Sequence, residues 1–99
     1  MTVNPYPTTI SKLTKKKKAF KATWKKKSSQ VTGYQLQYSL YSDFSSAKTV
    51  KIKKYKTTSK TVSKLKAKKT YYVRVRTYKT VSGKTYYSTW SPSKSVKTK

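Results

Sequence analysis

The sequence predicts an all-β fold, a seven-stranded antiparallel β-sandwich, and three observations carry that reading. Short segments alternate apolar and polar residues with a period of two, as in Tyr34-Gln35-Leu36-Gln37-Tyr38. Polar turn signals interrupt such segments at intervals of about 8 to 12 residues. Thr, Val, Tyr and Ser dominate wherever Lys does not, which favours strands over helices. At 99 residues with no break in composition the chain fits one domain, and folding at this size removes roughly two-thirds of its surface from water. Residues 1–8, with Pro5 and Pro7, read as a lead-in, residues 9–97 as the domain and residues 98–99 as a tail.

Taken in order, Ile10 and Leu13 mark a short first strand at a sheet edge, and Thr14 to Lys18 a charged turn. Phe20, Ala22 and Trp24 alternate with Lys21, Thr23 and Lys25 in a second strand, with Trp24 at the centre of the core. Lys25 to Thr32 is polar, holds no helical period and reads as a loop. Tyr34 to Leu40 gives a half-buried third strand. Ser42 to Ala47 is a turn in which Asp43 accepts backbone N–H groups and Phe44 tucks under the sheet edge. Val50 and Ile52, alternating with Lys51 and Lys53, form the fourth strand; after a turn at Tyr55 to Ser59, Thr61 to Leu65 forms the fifth.

The sixth strand is central. In it Tyr71, Val73 and Val75 face the core, while Tyr72, Arg74, Arg76 and Tyr78 face solvent. Leu65 stands six residues before the inward Tyr71 across a short turn, the spacing of a tyrosine corner, in which the phenol hydroxyl reaches back to upstream backbone. Val81-Ser82-Gly83-Lys84 is a hairpin signal, and a seventh strand runs from Thr85 toward Val96. Pro92 lies within that span and cannot donate to a ladder, so the strand must bulge or change partner there.

Composition removes most chemistry from consideration. With no His, no Cys and one acidic residue, Asp43, the chain cannot assemble a carboxylate pair, a nucleophile–His arrangement or a metal centre, so no enzyme, metal or cofactor is expected. A Ser–Lys dyad needs a buried neutral lysine, and these lysines fall in loops or on outward strand positions. Without cysteine the redox compartment cannot be read, and no apolar run is long enough to span a membrane. The 26 Lys and Arg give a formal net charge of +25, which attracts anionic polymers and keeps copies apart, so a monomer is expected. All of these cations except Arg74 and Arg76 are lysine, a hydrated point charge suited to diffuse attraction rather than forked recognition.

Four marks, in this order, together resemble a fibronectin type III domain, an immunoglobulin-like sandwich, over residues 9–97: Trp24; Gly33-Tyr34-Gln35-Leu36-Gln37-Tyr38; Leu65 with Tyr71-Tyr72-Val73-Arg74-Val75; and Trp90-Ser91-Pro92-Ser93. The wording most resembles the lysine-rich repeats of surface and secreted proteins from Gram-positive gut bacteria. That resemblance implies a non-catalytic module at a cell surface or outside the cell, although residues 1–9 lack the apolar core of an export signal. The chain departs from the family at Ala67-Lys68, where many members have Pro-Gly, and it lacks the Arg-Gly-Asp that integrin binding would use.

Two surfaces are candidate sites. The lysine clusters Lys15, Lys16, Lys17 and Lys18; Lys25, Lys26 and Lys27; Lys51, Lys53, Lys54 and Lys56; and Lys64, Lys66, Lys68 and Lys69 suit anionic polymers such as acidic glycans, teichoic acid-like polyphosphates or, nonspecifically, nucleic acid. A charge run ordinarily marks only a solvated face, but solubility is met by a net charge of about 2 to 8. The second surface is an aromatic–basic stripe, Tyr72, Arg74, Arg76, Tyr78 and Trp90, extended by Tyr86 and Tyr87. It reads either as a platform that stacks bases or sugars or as a cation–π ladder holding the last strand, as in the Trp-Ser motif of cytokine-receptor domains that Trp90 to Ser93 resembles. The leading functional expectation is an extracellular spacer or adhesion module holding polyanions. Its competitors are a nucleic-acid-binding protein and an engineered supercharged scaffold with binding loops.

Overall fold

A computed structural model describes residues 5–27 and 31–99. Its strands are β1 (Ile10–Lys16), β2 (Ala19–Trp24), β3 (Gly33–Ser39), β4 (Lys48–Ile52), β5 (Ser59–Val62), β6 (Thr70–Val81), β7 (Lys84–Tyr87) and β8 (Lys94–Lys97). They form two antiparallel sheets, β1-β2-β5 and β4-β3-β6-β7, with β8 also pairing β6. Eight strands stand where seven are expected because the last one is interrupted: β7 pairs the distal half of β6 and β8 the proximal half, with Pro92 between them. The strand therefore leaves β6 and returns to it, without changing partner.

The inner faces follow the alternation in the sequence. Phe20, Ala22, Trp24, Leu36, Tyr71, Val73 and Val75 are buried, and Tyr71 and Tyr38 stack edge-on at 6.3 Å across the core. The Tyr71 hydroxyl accepts the Lys66 N–H at 3.0 Å, closing the corner that Leu65 begins. Gly33 is required where β3 opens: a Cβ there would collide with the Ile52 carbonyl oxygen and lie 2.9 Å from the Tyr78 hydroxyl.

Several boundaries differ from the sequence reading. β1 continues to Lys16, so the charged turn shrinks to Lys17–Lys18, because Lys15 and Lys16 pair with Phe20 and Ala19. β5 spans Ser59–Val62 rather than Thr61 to Leu65, which frees Leu65 for the corner. Tyr78 shares the outward parity of Arg76 but is only 2% exposed, because its ring lies over Gly33 beneath Lys51 and Tyr87. Phe44 does not pass under the sheet edge; it lies on the outer face over Arg74. Asp43 Oδ1 accepts the Ser45 N–H at 2.9 Å.

Tyr6, Thr8 and Thr98, near the ends of the described residues, hydrogen-bond into the sandwich. Thr77 Oγ1 donates to the Tyr6 carbonyl, and Thr8 Oγ1 to that of Lys25. Thr98 is buried and donates to the Lys66 carbonyl. Of the expected lead-in, residues 1–4 lie outside the described residues, as do residues 28–30 of the Lys25 to Thr32 loop.

Candidate functional site

The outward side chains of β6 form a stack. In order the layers are Phe44, Arg74, Trp90, Arg76 and Tyr87, each guanidinium carbon lying 3.9–4.4 Å from the centroids of the rings on either side. Register explains how the arginines are aimed. Arg74 faces Gln37 and Arg76 faces Gln35 across β3, and each arginine Nε donates to its glutamine Oε1, at 2.6 and 2.8 Å. Burial under the rings lowers the pKa of both guanidiniums, yet arginine remains charged across the physiological range.

Trp90 reaches this stack because two serines replace the missing ladder. Where the chain leaves β6 between β7 and β8, the Val75 and Thr77 N–H groups would be orphaned. Ser91 Oγ and Ser88 Oγ accept them at 2.9 Å, while the Ser91 and Ser88 N–H groups donate back to the Val75 and Thr77 carbonyls. A buried N–H without a partner costs about 1–3 kcal/mol, so this substitution is what allows the strand to open around Trp90. Of the predicted stripe, Arg74, Arg76 and Trp90 are stacked, Tyr78 is buried, and Tyr72 shares the face without stacking on either arginine. The rings thus occupy both faces of each guanidinium, which is a packed ladder and not an open platform. Tyr87, expected to extend the stripe, stacks on Arg76. Phe44, Gln35 and Gln37 were not singled out with it; the period-two Gln35 and Gln37 carried the signal once β3 is set against β6.

The lysines behave differently. Of the clustered lysines all but the half-buried Lys27 are exposed, and strand pairing gathers all but Lys51 at two ends of a molecule measuring 46 × 25 × 20 Å. At one end the Leu65 N–H donates to the Lys18 carbonyl, the Lys18 N–H to Lys99 and the Lys99 N–H to Lys16. Lys69 is tied to Thr98 through both backbone and side chain. Lys15 to Lys18 and Lys64, Lys66, Lys68 and Lys69 are thereby joined by Lys97 and Lys99, which sequence reasoning missed because the last strand was read only toward Val96 and residues 98–99 as a tail.

At the opposite end the Tyr34 hydroxyl accepts the Lys27 N–H and donates to the Tyr55 carbonyl at 2.7 Å. This ties Lys25 to Lys27 to the segment carrying Lys53, Lys54 and Lys56, with the Lys26 ammonium 5.9 Å from the Tyr55 ring. Burial raises the Tyr34 pKa, against the Lys27 hydrogen bond. Lys51 stands apart from both ends, its ammonium 5.0 Å from the Tyr78 ring. Among the described residues no group of three His, Cys, Asp or Glu could hold a metal ion, and no helix is long and apolar enough to cross a membrane.

Solved structures of similar shape agree with this architecture. The chicken CNTN1 FN1–FN3 domains superpose with a TM-score of 0.78 at 21% identity over 96% of this chain, which spans 32% of that one. A myokine structure gives 0.73 at 18% identity over 96% of this chain and 97% of its own. A computationally redesigned β-sandwich protein gives 0.63 at 21% identity over 99% and 91%. At such identities the likeness concerns the fold alone. No curated protein sequence matches the chain. The Fibronectin type III domain family model matches residues 5–96, nearly the whole sandwich, and the chain belongs to that family.

Proposed function

We propose that this domain is a non-enzymatic extracellular spacer or adhesion module whose polycationic surface holds anionic polymers electrostatically. Fibronectin type III domains are commonly extracellular adhesion or spacer modules and are generally non-catalytic scaffolds. The observation that carries the finer reading is the convergence of Lys16 to Lys18, Lys64 to Lys69 and Lys97 to Lys99 at one end of the sandwich, with the chain's single acidic side chain already engaged at Ser45. Exposed ammonium groups this close raise the local potential and recruit polyanions without a shaped pocket. Wall polyphosphates and acidic glycans both fit this reading, which the resemblance of the sequence to lysine-rich Gram-positive surface repeats supports.

Competition binding tests the reading. Heparin, teichoic acid and DNA displace one another at similar charge-equivalent concentrations, and log affinity falls linearly with log salt, with a slope near −0.9 per phosphate neutralised on duplex DNA. Sequence preference in DNA, or a protein complex that survives high salt, would overturn it in favour of a nucleic-acid reader or a loop-mediated binder.

A further inference from the structure

The basic end carrying Lys64 and Lys66 also holds a cleft. Where β3 ends and the corner before β6 begins, the sheets part to leave a volume of about 350 Å³, within the range of small-molecule sites. Tyr38 and Tyr71 lie at its inner wall, Leu40 and Leu65 beside them, and Lys48, Lys64 and Lys66 are exposed around it. Tyr41, also lining it, is 55% exposed.

Every polar side chain lining the cleft carries a hydrogen-bond donor. Three ammoniums stand beside the phenols, and the Tyr71 oxygen, having accepted the Lys66 N–H, keeps its own proton to donate. Burial, then the neighbouring Tyr71, raises the Tyr38 pKa, so that phenol stays protonated near neutrality. No carboxylate lines the cleft. Two lining residues, Ser46 and Lys64, also hold left-handed backbone, φ 51° and 60°, a conformation that costs a non-glycine residue about 1–2 kcal/mol.

We infer that this cleft seats one anionic sugar residue of an acidic glycan. The C–H face of a pyranose dries against the Tyr38 and Tyr41 rings and Leu40, its hydroxyls meet the phenols and Ser46, and its carboxylate or sulfate meets Lys48, Lys64 and Lys66. A bare polyphosphate has no apolar face and gains nothing from aromatic walls, so the cleft favours glycan over polyphosphate. The inference rests on the polyanion reading above and narrows it.

The test titrates the folded domain, followed by amide chemical shifts, with a heparin-derived sulfated uronate disaccharide and, separately, with a short polyphosphate of equal charge. The disaccharide is expected to move the signals of Ser39 to Tyr41 and Lys64 to Lys66 and to stay bound in salt that releases polyphosphate. Tyr41→Ser with Lys64→Asn, the latter suited to left-handed backbone, weakens the disaccharide about tenfold and long heparin at low salt less than about twofold. Lys25→Gln with Lys53→Gln, at the opposite end, leaves disaccharide binding unchanged. Equal losses in both variants, or shifts spread evenly over all lysines, overturn the cleft while leaving the polyanion reading intact. Failure of long heparin to bind the unmodified domain overturns both.

Discussion

On the outer face of β6 the two guanidiniums are stacked between rings and oriented by glutamines, whereas at the Lys16–Lys69 end the ammonium groups stand in water. Both regions carry positive charge on the same small sandwich, and they use it oppositely. Arginine's planar, weakly hydrated fork can be sandwiched and hydrogen-bonded at its edge together, so its charge becomes part of the packing. Lysine's compact ammonium loses more hydration on burial and is left to act at a distance. The ladder therefore contributes to folding, and the lysines act on whatever approaches.

Removing the ladder's shared ring separates the two regions most sharply. Trp90 lies between both arginines, so Trp90→Ala strips one face from each and opens the outer side of β6. A half-buried tryptophan in this position is worth about 3 kcal/mol in packing and cation–π attraction. Urea unfolding should show that loss, while heparin affinity of the still-folded variant stays constant. Lys17→Ala, in the exposed turn after β1, gives the converse pattern: a urea midpoint that does not fall, and rises slightly if lysine repulsion is relieved, with weaker heparin binding.

A subtler cut keeps the charge and removes the shape. In Arg76→Lys the ammonium cannot span Trp90, Tyr87 and the Gln35 oxygen at once, so about 1 kcal/mol of stability is lost although net charge is unchanged. If the urea midpoint does not move, the ladder is only a charge resting on a sheet.

How much of this contrast was legible beforehand depended on whether the information was local. Tyr71, Val73, Arg74 and Arg76 declared their faces through alternation within one strand, and Trp24 and Leu36 declared the core. Tyr78 obeyed the same parity but was misread as exposed, because its burial depends on Gly33 across the register and on Lys51 a further strand away. Lys97 and Lys99 were missed for a related reason: only the pairing of the chain's last residues with Lys16 and Lys18 brings them into the basic end. The cleft was invisible, since Tyr38, Tyr41, Lys48 and Lys64 meet through the separation of two sheets and not through any spacing in sequence.

The lysine end also carries strain of its own. Lys68 occupies φ 56° in the corner turn, at the position where many family members have glycine. Left-handed backbone costs a side-chain-bearing residue about 1–2 kcal/mol, offset in part by the greater entropy glycine loses on folding. Lys68→Gly should therefore raise stability by about 0.5–1 kcal/mol, and Lys68→Gln, which removes the same charge but keeps the Cβ, by less. Equal gains from the two would assign the effect to relief of repulsion.

The smallest expected effect is the one most specific to this composition. Acid normally unfolds domains by protonating paired carboxylates, and here Asp43 is the only acidic side chain. The Ser45 backbone N–H, then the Ser45 hydroxyl, holds its carboxyl below the usual range, so its small contribution is present above about pH 3.9 and is lost as pH falls through the lower folded value. Urea midpoints at about pH 7 and about pH 4 should coincide, with added salt raising both by screening lysine repulsion. The alkaline side supplies the contrast. Burial raises the pKa of Tyr34, Tyr38 and Tyr78, so unfolded phenols ionise first near about pH 10 and their contribution, present below that, is lost as pH rises through the folded values. Urea midpoints should therefore fall as pH rises past about 10. A midpoint that holds over that interval would mean that the three phenols ionise as readily in the sandwich as in the unfolded chain, and that keeping them protonated adds nothing to folding.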